Sequence, residues 1–288
     1  MYIKIVKPSD IAVDDIRYET NYALSGYHVA VAGVGKTGVN AVCHQKLSGC
    51  DMEQIDSLTM FTYDKTDTSP QYKELCKQAC RECFWLFVLV DPEDEDAIDR
   101  ACELAEYSQN ETDTHRHDIR ACIMLEKYHG TQIEQMLQKR FDKIIFVEGY
   151  DQFFLPVEML FVHSEGAIHI GIDYADYYNL VKASKSLFLT RAVNTDVNEL
   201  ESILQTRIKQ KLQTYSVKHF NILSYFSCDN DGPLESIVDI AWNIQSFAKN
   251  MDNEMEHSFN SVFRRSDDKS ILAYILLCVK PPKAVSGT

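Results

Sequence analysis

Short apolar runs alternate with longer amphipathic stretches through the first half of the chain. Apolar runs rich in β-branched and aromatic residues are typical of buried strands, and apolar residues spaced three or four apart are typical of helices. The predicted strands are His28 to Gly33, Leu58 to Tyr63, Phe84 to Val90, Ile119 to Leu125 and Lys143 to Val147. The predicted helices are Thr37 to Leu47, one that starts at Ser69-Pro70, one that starts at Asp91, and Thr131 to Lys139. This alternation predicts a parallel sheet with helices on both faces.

The pattern changes at Asp151, where a short apolar segment leads into a second set of elements. The predicted helices there are Tyr174 to Ala183, Asp196 to Leu212 and Leu234 to Lys249. The predicted strands are Leu187 to Arg191, Phe220 to Phe226, Ser258 to Phe263 and Ile271 to Val279. The last two strands are separated by a polar stretch, Arg264 to Lys269, which favours a hairpin-like connection.

These two patterns predict an α/β protein in which a Rossmann-like parallel-sheet domain is followed by a smaller α+β domain. The predicted divisions are an N-terminal extension (1–27), a Rossmann-like nucleotide-binding-type domain (28–150), an inter-domain helix or linker (151–172), the α+β domain (173–280) and a tail (281–288).

The charge balance narrows the classes of partner. Lys and Arg number 29 against 43 Asp and Glu, which gives a net charge of −14 and argues against a general electrostatic grip on nucleic acid or anionic lipid. No apolar window approaches the roughly 18 residues of a membrane span, and the N-terminus lacks the apolar core of a secretory signal. We therefore expect a cytoplasmic protein without direct membrane insertion.

Nine cysteines are scattered through apolar or helical contexts, an odd number that suits reduced, buried thiols better than a disulfide framework. Cys76, Cys80 and Cys83 share one helix face by their spacing. Because no fourth ligand lies close to them in sequence, the prediction is a buried face and no metal site.

A glycine-rich turn follows the first predicted strand in the segment HVAVAGVGKTGVNAV, residues 28–42. Gly33, Gly35 and Gly38 have the spacing in which a bare backbone approaches a phosphate at a helix N-terminus. The stretch from Ala30 to Thr37 is also a loose match to a P-loop. A third interpretation is steric, because such turns sometimes only bring a helix close to a strand.

The segment DPEDEDAIDRACELAEYS follows the strand at Phe84 to Val90. Asp91 is placed as a helix N-cap, with Pro92 at the first helical position and acidic residues in the first turn, where the helix dipole favours negative charge.

Several segments together resemble the FtsZ/tubulin superfamily over roughly residues 28–280. GVGKTGVNAV resembles the first phosphate loop of that family, and IGIDYADYYNLVKASKSLFLTRA resembles its INxDFADV segment with the strand that follows. SYFSCDNDGPLESIVDIAWNIQSFA resembles the strand, turn and helix of the C-terminal domain, and two closing strands follow in the expected order. The resemblance implies the two-domain FtsZ/tubulin architecture.

The resemblance also implies site residues. The phosphate loop would consist of Gly33, Gly35, Lys36, Thr37, Gly38 and Asn40. Asp173 and Asp176 match the acidic residues that complete the GTPase site of the next subunit, where a carboxylate orients the attacking water. Aspartates that begin a helix are also common caps, so a structural role for this pair stays open.

Three departures from the family pattern argue against GTPase activity. Asp91 to Asp96 stands where the family has a glycine-rich loop, so proline removes an amide donor and carboxylates repel phosphate. Only Glu148 to Ile172 is available for the central helix, which implies a shortened helix and a truncated base pocket. Gly171 also replaces the asparagine of the acidic motif.

These departures favour a pseudo-GTPase over an enzyme. The leading hypothesis is a scaffold or self-associating cytoskeletal-type protein, in cell division or membrane remodelling, with a relic phosphate loop, no cofactor, and its own copies or other proteins as partners. One alternative is an active filament-forming GTPase that binds GTP or GDP, with Lys36 contacting phosphate. A further alternative is a P-loop or dinucleotide-binding enzyme.

Overall fold

The computed structural model describes residues 2–6, 28–43, 57–63, 69–94, 96–108, 119–161, 167–169, 174–229, 232–252, 254–255, 258–265 and 270–281. Its strands are β1 (Tyr2–Val6), β2 (His28–Val34), β3 (Ser57–Thr62), β4 (Trp85–Val90), β5 (Ile119–Leu125), β6 (Lys143–Val147), β7 (Ala167–His169), β8 (Ser186–Asn194), β9 (Phe220–Asp229), β10 (Ser258–Arg265) and β11 (Ile271–Val279). Its helices are α1 (Gly35–Cys43), α2 (Pro70–Glu82), α3 (Ala97–Tyr107), α4 (Gln132–Leu137), α5 (Leu155–Phe161), α6 (Tyr174–Ala183), α7 (Val197–Thr214) and α8 (Leu234–Met251).

The described residues fall into two compact units. The first runs through Ile145 and also takes in Gly149–Phe161, whereas the second comprises Phe146–Glu148 and the described residues from Ala167 onward. The first unit thus includes α5, which the sequence placed in an inter-domain linker. This helix is only seven residues long.

The first unit is built on a sheet in the order β1-β3-β2-β4-β5-β6. Neighbouring strands from β1 to β5 are parallel, as the alternation of strands and helices predicts. The carboxyl end of β2 has β3 on one side and β4 on the other, so the strand order reverses there. Open α/β sheets bind ligands at such switch points.

Helix starts in both units follow local capping chemistry. Ser69 caps α2 by accepting from the Tyr72 amide at 3.2 Å, and Pro70 occupies the first helical position, as predicted. Asp196 caps α7 in the same way through the Asn198 amide at 2.8 Å. Every residue of β4 is buried, in agreement with its prediction as a central strand.

The second unit is a mixed sheet in the order β8-β11-β9-β10-β7, with α7 packed on β8 and α8 packed on β9 and β10. The strand β11 is antiparallel to both β8 and β9, whereas β10 is parallel to β9. The predicted hairpin between the last two strands is therefore wrong. β9 lies between them, because the uniformly apolar β11 is buried between two strands instead of forming an edge.

Candidate functional site

The glycine-rich turn connects β2 to α1 and is held by close backbone approaches. Gly35 has φ +73°, in the left-handed region that favours glycine. A Cβ atom at Gly33 would lie 2.2 Å from the Gly38 carbonyl oxygen, and one at Gly38 would lie 2.1 Å from the Leu89 carbonyl oxygen. The glycines are therefore needed to pack α1 against β2 and β4, whether or not a ligand binds.

Residues Asp91–Asp94, called the acidic loop below, lie directly against this turn. The position that a Cβ of Gly35 would occupy is 2.8 Å from the Asp91 carbonyl oxygen and 3.2 Å from Asp94 Oδ2. The Asp91 amide also donates to the Val34 carbonyl at 3.1 Å. The acidic loop therefore fills the space immediately above the glycine turn, at the switch point of the sheet.

Two backbone amides at the start of α1 donate to side chains of the acidic loop. The Lys36 amide donates to Asp94 Oδ2, and the Thr37 amide donates to Asp91 Oδ2 at 3.3 Å. The Thr37 hydroxyl donates to the same Asp91 oxygen at 2.5 Å. Free amides and the helix dipole make a helix N-terminus attractive to anions. In this chain the anions are carboxylates 54 and 58 residues away.

The second oxygen of Asp91 is also satisfied. Asp91 Oδ1 accepts from the Tyr150 hydroxyl at 3.0 Å and from the Glu93 amide at 3.3 Å, and Asp91 is only 4% exposed. Burial alone would raise the pKa of this carboxyl, but the hydrogen bonds from Thr37, Tyr150 and Glu93 outweigh it and hold the pKa below its usual value. Burial and the bond to Asp91 together raise the pKa of Tyr150 to about 12. Asp91 is therefore a charged, fully bonded carboxylate that ties α1 to the segment after β6.

The predicted N-cap role of Asp91 is wrong. The helix α3 begins at Ala97, and its N-cap residue is Asp96, which has φ 65° and makes no capping hydrogen bond with its side chain. Asp91 instead accepts from α1 and Tyr150, so non-local donors compete successfully with the local helix start.

The remaining predicted phosphate-loop residues, Lys36 and Asn40, have exposed side chains on α1. Asp173 lies outside the described residues. Asp176 is on α6, but its side chain is outside the described set. The structure thus brings Gly35, the Lys36 amide and Thr37 together with the acidic loop. The catalytic assignment of the two aspartates stays a prediction.

A partly buried ionic cluster in the second unit was not predicted from the sequence; of its three charged side chains, Lys211 is the buried one. Glu148 accepts from the Thr190 hydroxyl at 2.8 Å and pairs with Lys211 at 2.9 Å and Arg207 at 3.2 Å. Burial would raise the pKa of Glu148, but the adjacent Lys211 ammonium and these hydrogen bonds lower it. Near Glu148 in the sequence, the one signal is its charge at the end of the apolar strand β6. Its partners lie on β8 and α7, far from it along the chain.

The cysteine face is buried as predicted. Cys76, Cys80 and Cys83 are each at most 3% exposed, and burial raises the pKa of the Cys83 thiol to about 12. Within the described part of the chain, no group of three or more His, Cys, Asp or Glu side chains is placed to hold a metal ion.

Comparison with solved structures identifies the fold. Over 92% of its length the chain is similar to 95% of an FtsZ from M. jannaschii, solved as an empty dimer, with a TM-score of 0.60 and 10% identity. It is similar over 90% of its length to 95% of CetZ2 from Haloferax volcanii, solved as a GTPγS-bound protofilament, with a TM-score of 0.56 and 12% identity. It also matches 86% of TubZ from Bacillus thuringiensis serovar israelensis, solved as GDP-form protofilaments, over 89% of its length, with a TM-score of 0.55 and 9% identity.

No protein-family model and no curated protein sequence matches the chain. The structural likeness nevertheless shows that it has the FtsZ/tubulin fold, which confirms the predicted fold class. None of the helices in the described ranges combines the length and the apolar character needed to cross a membrane.

Proposed function

We propose that this protein is a pseudo-GTPase of the FtsZ/tubulin fold, a scaffold that works through self-association or other protein contacts instead of GTP hydrolysis. The observation that carries the proposal is the occupation of the Lys36 and Thr37 amides, in the first turn of α1, by Asp94 and Asp91 respectively. Each carboxylate supplies the negative oxygen that a nucleotide phosphate would supply at this place.

A nucleotide would have to displace the acidic loop to reach those amides. Asp91 would lose its bonds to Thr37 and Tyr150 and remain charged beside the phosphate. Two unit charges 4 Å apart repel by about 1 kcal/mol in water and by about 4 kcal/mol near a protein surface, and a nucleotide carries several charges. The loop is also covalently attached, so it competes at high effective concentration. These effects all favour the self-occupied state.

The proposed activity is therefore assembly. TubZ and CetZ2, which share this fold, were solved as protofilaments. We propose that this chain also associates with copies of itself, as a cytoskeletal-type element in cell division or membrane remodelling, and that it does so without nucleotide as a switch.

The test combines nucleotide content with assembly. Protein purified without added nucleotide is denatured and its supernatant analysed by mass spectrometry, and GTP and GDP are titrated calorimetrically with Mg²⁺ present. The expected result is no stoichiometric nucleotide, no binding heat, and an assembly state by sedimentation that is the same with and without GTP. Stoichiometric GTP or GDP would overturn the proposal.

The same samples distinguish the active-GTPase alternative. Pelleting that requires GTP and is abolished by Asp176→Ala would establish a filament-forming GTPase. Thermal stabilisation by adenine or nicotinamide nucleotides, with no response to guanine nucleotides, would instead favour a P-loop or dinucleotide enzyme.

A further inference from the structure

The acidic loop has a second anchor on the side away from α1. Lys127 Nζ donates to Glu93 Oε1, and the Tyr128 hydroxyl lies 3.5 Å from the same oxygen. The Lys127 ammonium also lies over the Tyr128 ring, 5.1 Å from its centroid. Both residues belong to a 3₁₀ turn, Glu126–Tyr128, that directly follows β5. The loop is therefore bound to two neighbouring strand ends.

The inner and outer anchors differ in their surroundings. Asp91, the inner anchor, is 4% exposed and fully hydrogen-bonded. The side chains of Glu93 and Lys127, the outer anchor, are 59% and 51% exposed. Exposed ion pairs are weak and are screened by salt, whereas buried hydrogen bonds are not. The outer anchor is therefore the part of the loop attachment that solution conditions can release.

Asp94 is held less firmly than Asp91, and its position depends in part on the outer anchor. It follows Glu93 in the chain, is only half-buried, and reaches α1 through a single hydrogen bond, from the Lys36 amide. When Glu93 is held by Lys127, the backbone of Asp94 is fixed on both sides. The backbone of Asp94 also makes two bonds at 3.2 Å, because its amide donates to the Asp91 carbonyl and its carbonyl accepts from the Ala97 amide. Without the Glu93–Lys127 pair, these backbone bonds and the bond from the Lys36 amide remain, and the Asp94 side chain is less constrained.

We propose that the Glu93–Lys127 ion pair is a clasp that keeps Asp94 on the Lys36 amide, so that Lys127 is a positioning residue for the self-occupied anion site. Opening the clasp exposes the Lys36 amide, in the first turn of α1, to an oxyanion such as phosphate, while Asp91 stays bound. This inference rests on the proposed function and adds a device that regulates access to the same site.

The test measures amide hydrogen exchange by NMR at low salt in the full-length protein without nucleotide. In Lys127→Met, the Lys36 amide is expected to exchange roughly two- to fivefold faster, in proportion to the strength of an exposed ion pair. The Thr37 amide and the β4 amides are expected to be unchanged. Lys139→Met, which removes another exposed lysine of the same unit, is the matched control. Unchanged exchange at Lys36, or an equal increase at all these amides, would overturn the clasp.

Two further measurements use the same samples. Glu93→Gln should reproduce the effect of Lys127→Met, and the double variant should add nothing, because both changes break one pair. Added inorganic phosphate should shift the Lys36 amide resonance in Lys127→Met but not in the wild type, and no shift in either protein would overturn the access step. The exchange rates are recorded without nucleotide, so GTP binding by the wild type would overturn the proposed function and leave the clasp standing.

Discussion

Replacing Asp91 with asparagine tests the core of the self-occupied site. The substitution keeps the size of the side chain but removes its charge and replaces one accepting oxygen with an NH₂ group. Each carboxylate oxygen accepts two hydrogen bonds, so one pair, either from Thr37 or from Tyr150 and Glu93, must be lost or inverted. Hydrogen bonds to charged groups contribute about 1.5–3 kcal/mol each. Allowing for rotation of the hydroxyls, we expect Asp91→Asn to lower the free energy of unfolding by about 2–4 kcal/mol.

The assay is urea denaturation at pH 7, with Asp99→Asn as control because Asp99 is an exposed acid on the neighbouring helix. The control should change the free energy of unfolding by no more than about 0.5 kcal/mol. A loss below about 0.5 kcal/mol for Asp91→Asn would refute the reasoning, since it would mean that the four contacts contribute nothing net.

The pH dependence gives an independent check on the same carboxylate. Its pKa is lowered in the folded state, so its stabilising contribution is complete above the unfolded pKa of about 3.9 and is lost as the pH falls through the folded pKa. Asp91→Asn lacks this contribution. The stability difference between wild type and variant should therefore be constant near neutral pH and narrow below about pH 4. A difference that grew on acidification would contradict the lowered pKa.

Three further predictions concern other parts of the chain. Glu148→Gln should lower the free energy of unfolding by about 2 kcal/mol by denaturant titration, because it leaves the 8% exposed Lys211 side chain without its counter-charge; no change would contradict the ion cluster. Gly38→Ala should lower the free energy of unfolding by about 3 kcal/mol or prevent folding, since its Cβ would overlap the Leu89 carbonyl. Gly130→Ala, with φ +76° but open space around it, should lower it by only about 1 kcal/mol. Equal effects would contradict the steric argument. The Cys80 thiol should react with a thiol reagent only at the rate of unfolding, because burial raises its pKa, and fast labelling of the folded protein would contradict its burial.

Local patterns were sufficient to predict most of the fold. The bounds of β5 and β6 agree with their apolar runs, and Ser69 and Asp196 cap helices where the sequence places them. These features depend on residues a few positions apart, so the spacing of apolar residues and the capping side chains determine them. The prediction of a hairpin between β10 and β11 was wrong because strand order depends on residues far apart in the sequence. The sequence between two strands does not say whether a third strand lies between them in the sheet.

In the candidate site, too, local features could be predicted from the sequence and contacts between distant residues could not. The turn at Gly33 and Gly35 was visible because glycine spacing is a local signal. The sequence of the acidic loop was also visible, and its departure from a glycine-rich phosphate loop could be read directly. The position of the loop in the fold could not be predicted, because the sequence Asp-Pro-Glu-Asp fits a helix start as well as it fits a loop folded back on α1. The decisive contacts of Asp91, to Thr37 and Tyr150, come from 54 and 59 residues away.

In the proposed self-occupied state, the carboxylates of Asp91 and Asp94 take the place of phosphate at the start of α1. The most direct test of this state is to follow the backbone amide resonances of Lys36 and Thr37 in the wild-type protein during titration with GTP or GDP and Mg²⁺. We expect both resonances to stay unchanged up to millimolar nucleotide, because their acceptors are already in place. Shifts of both amides that saturate at one nucleotide per chain would contradict the account.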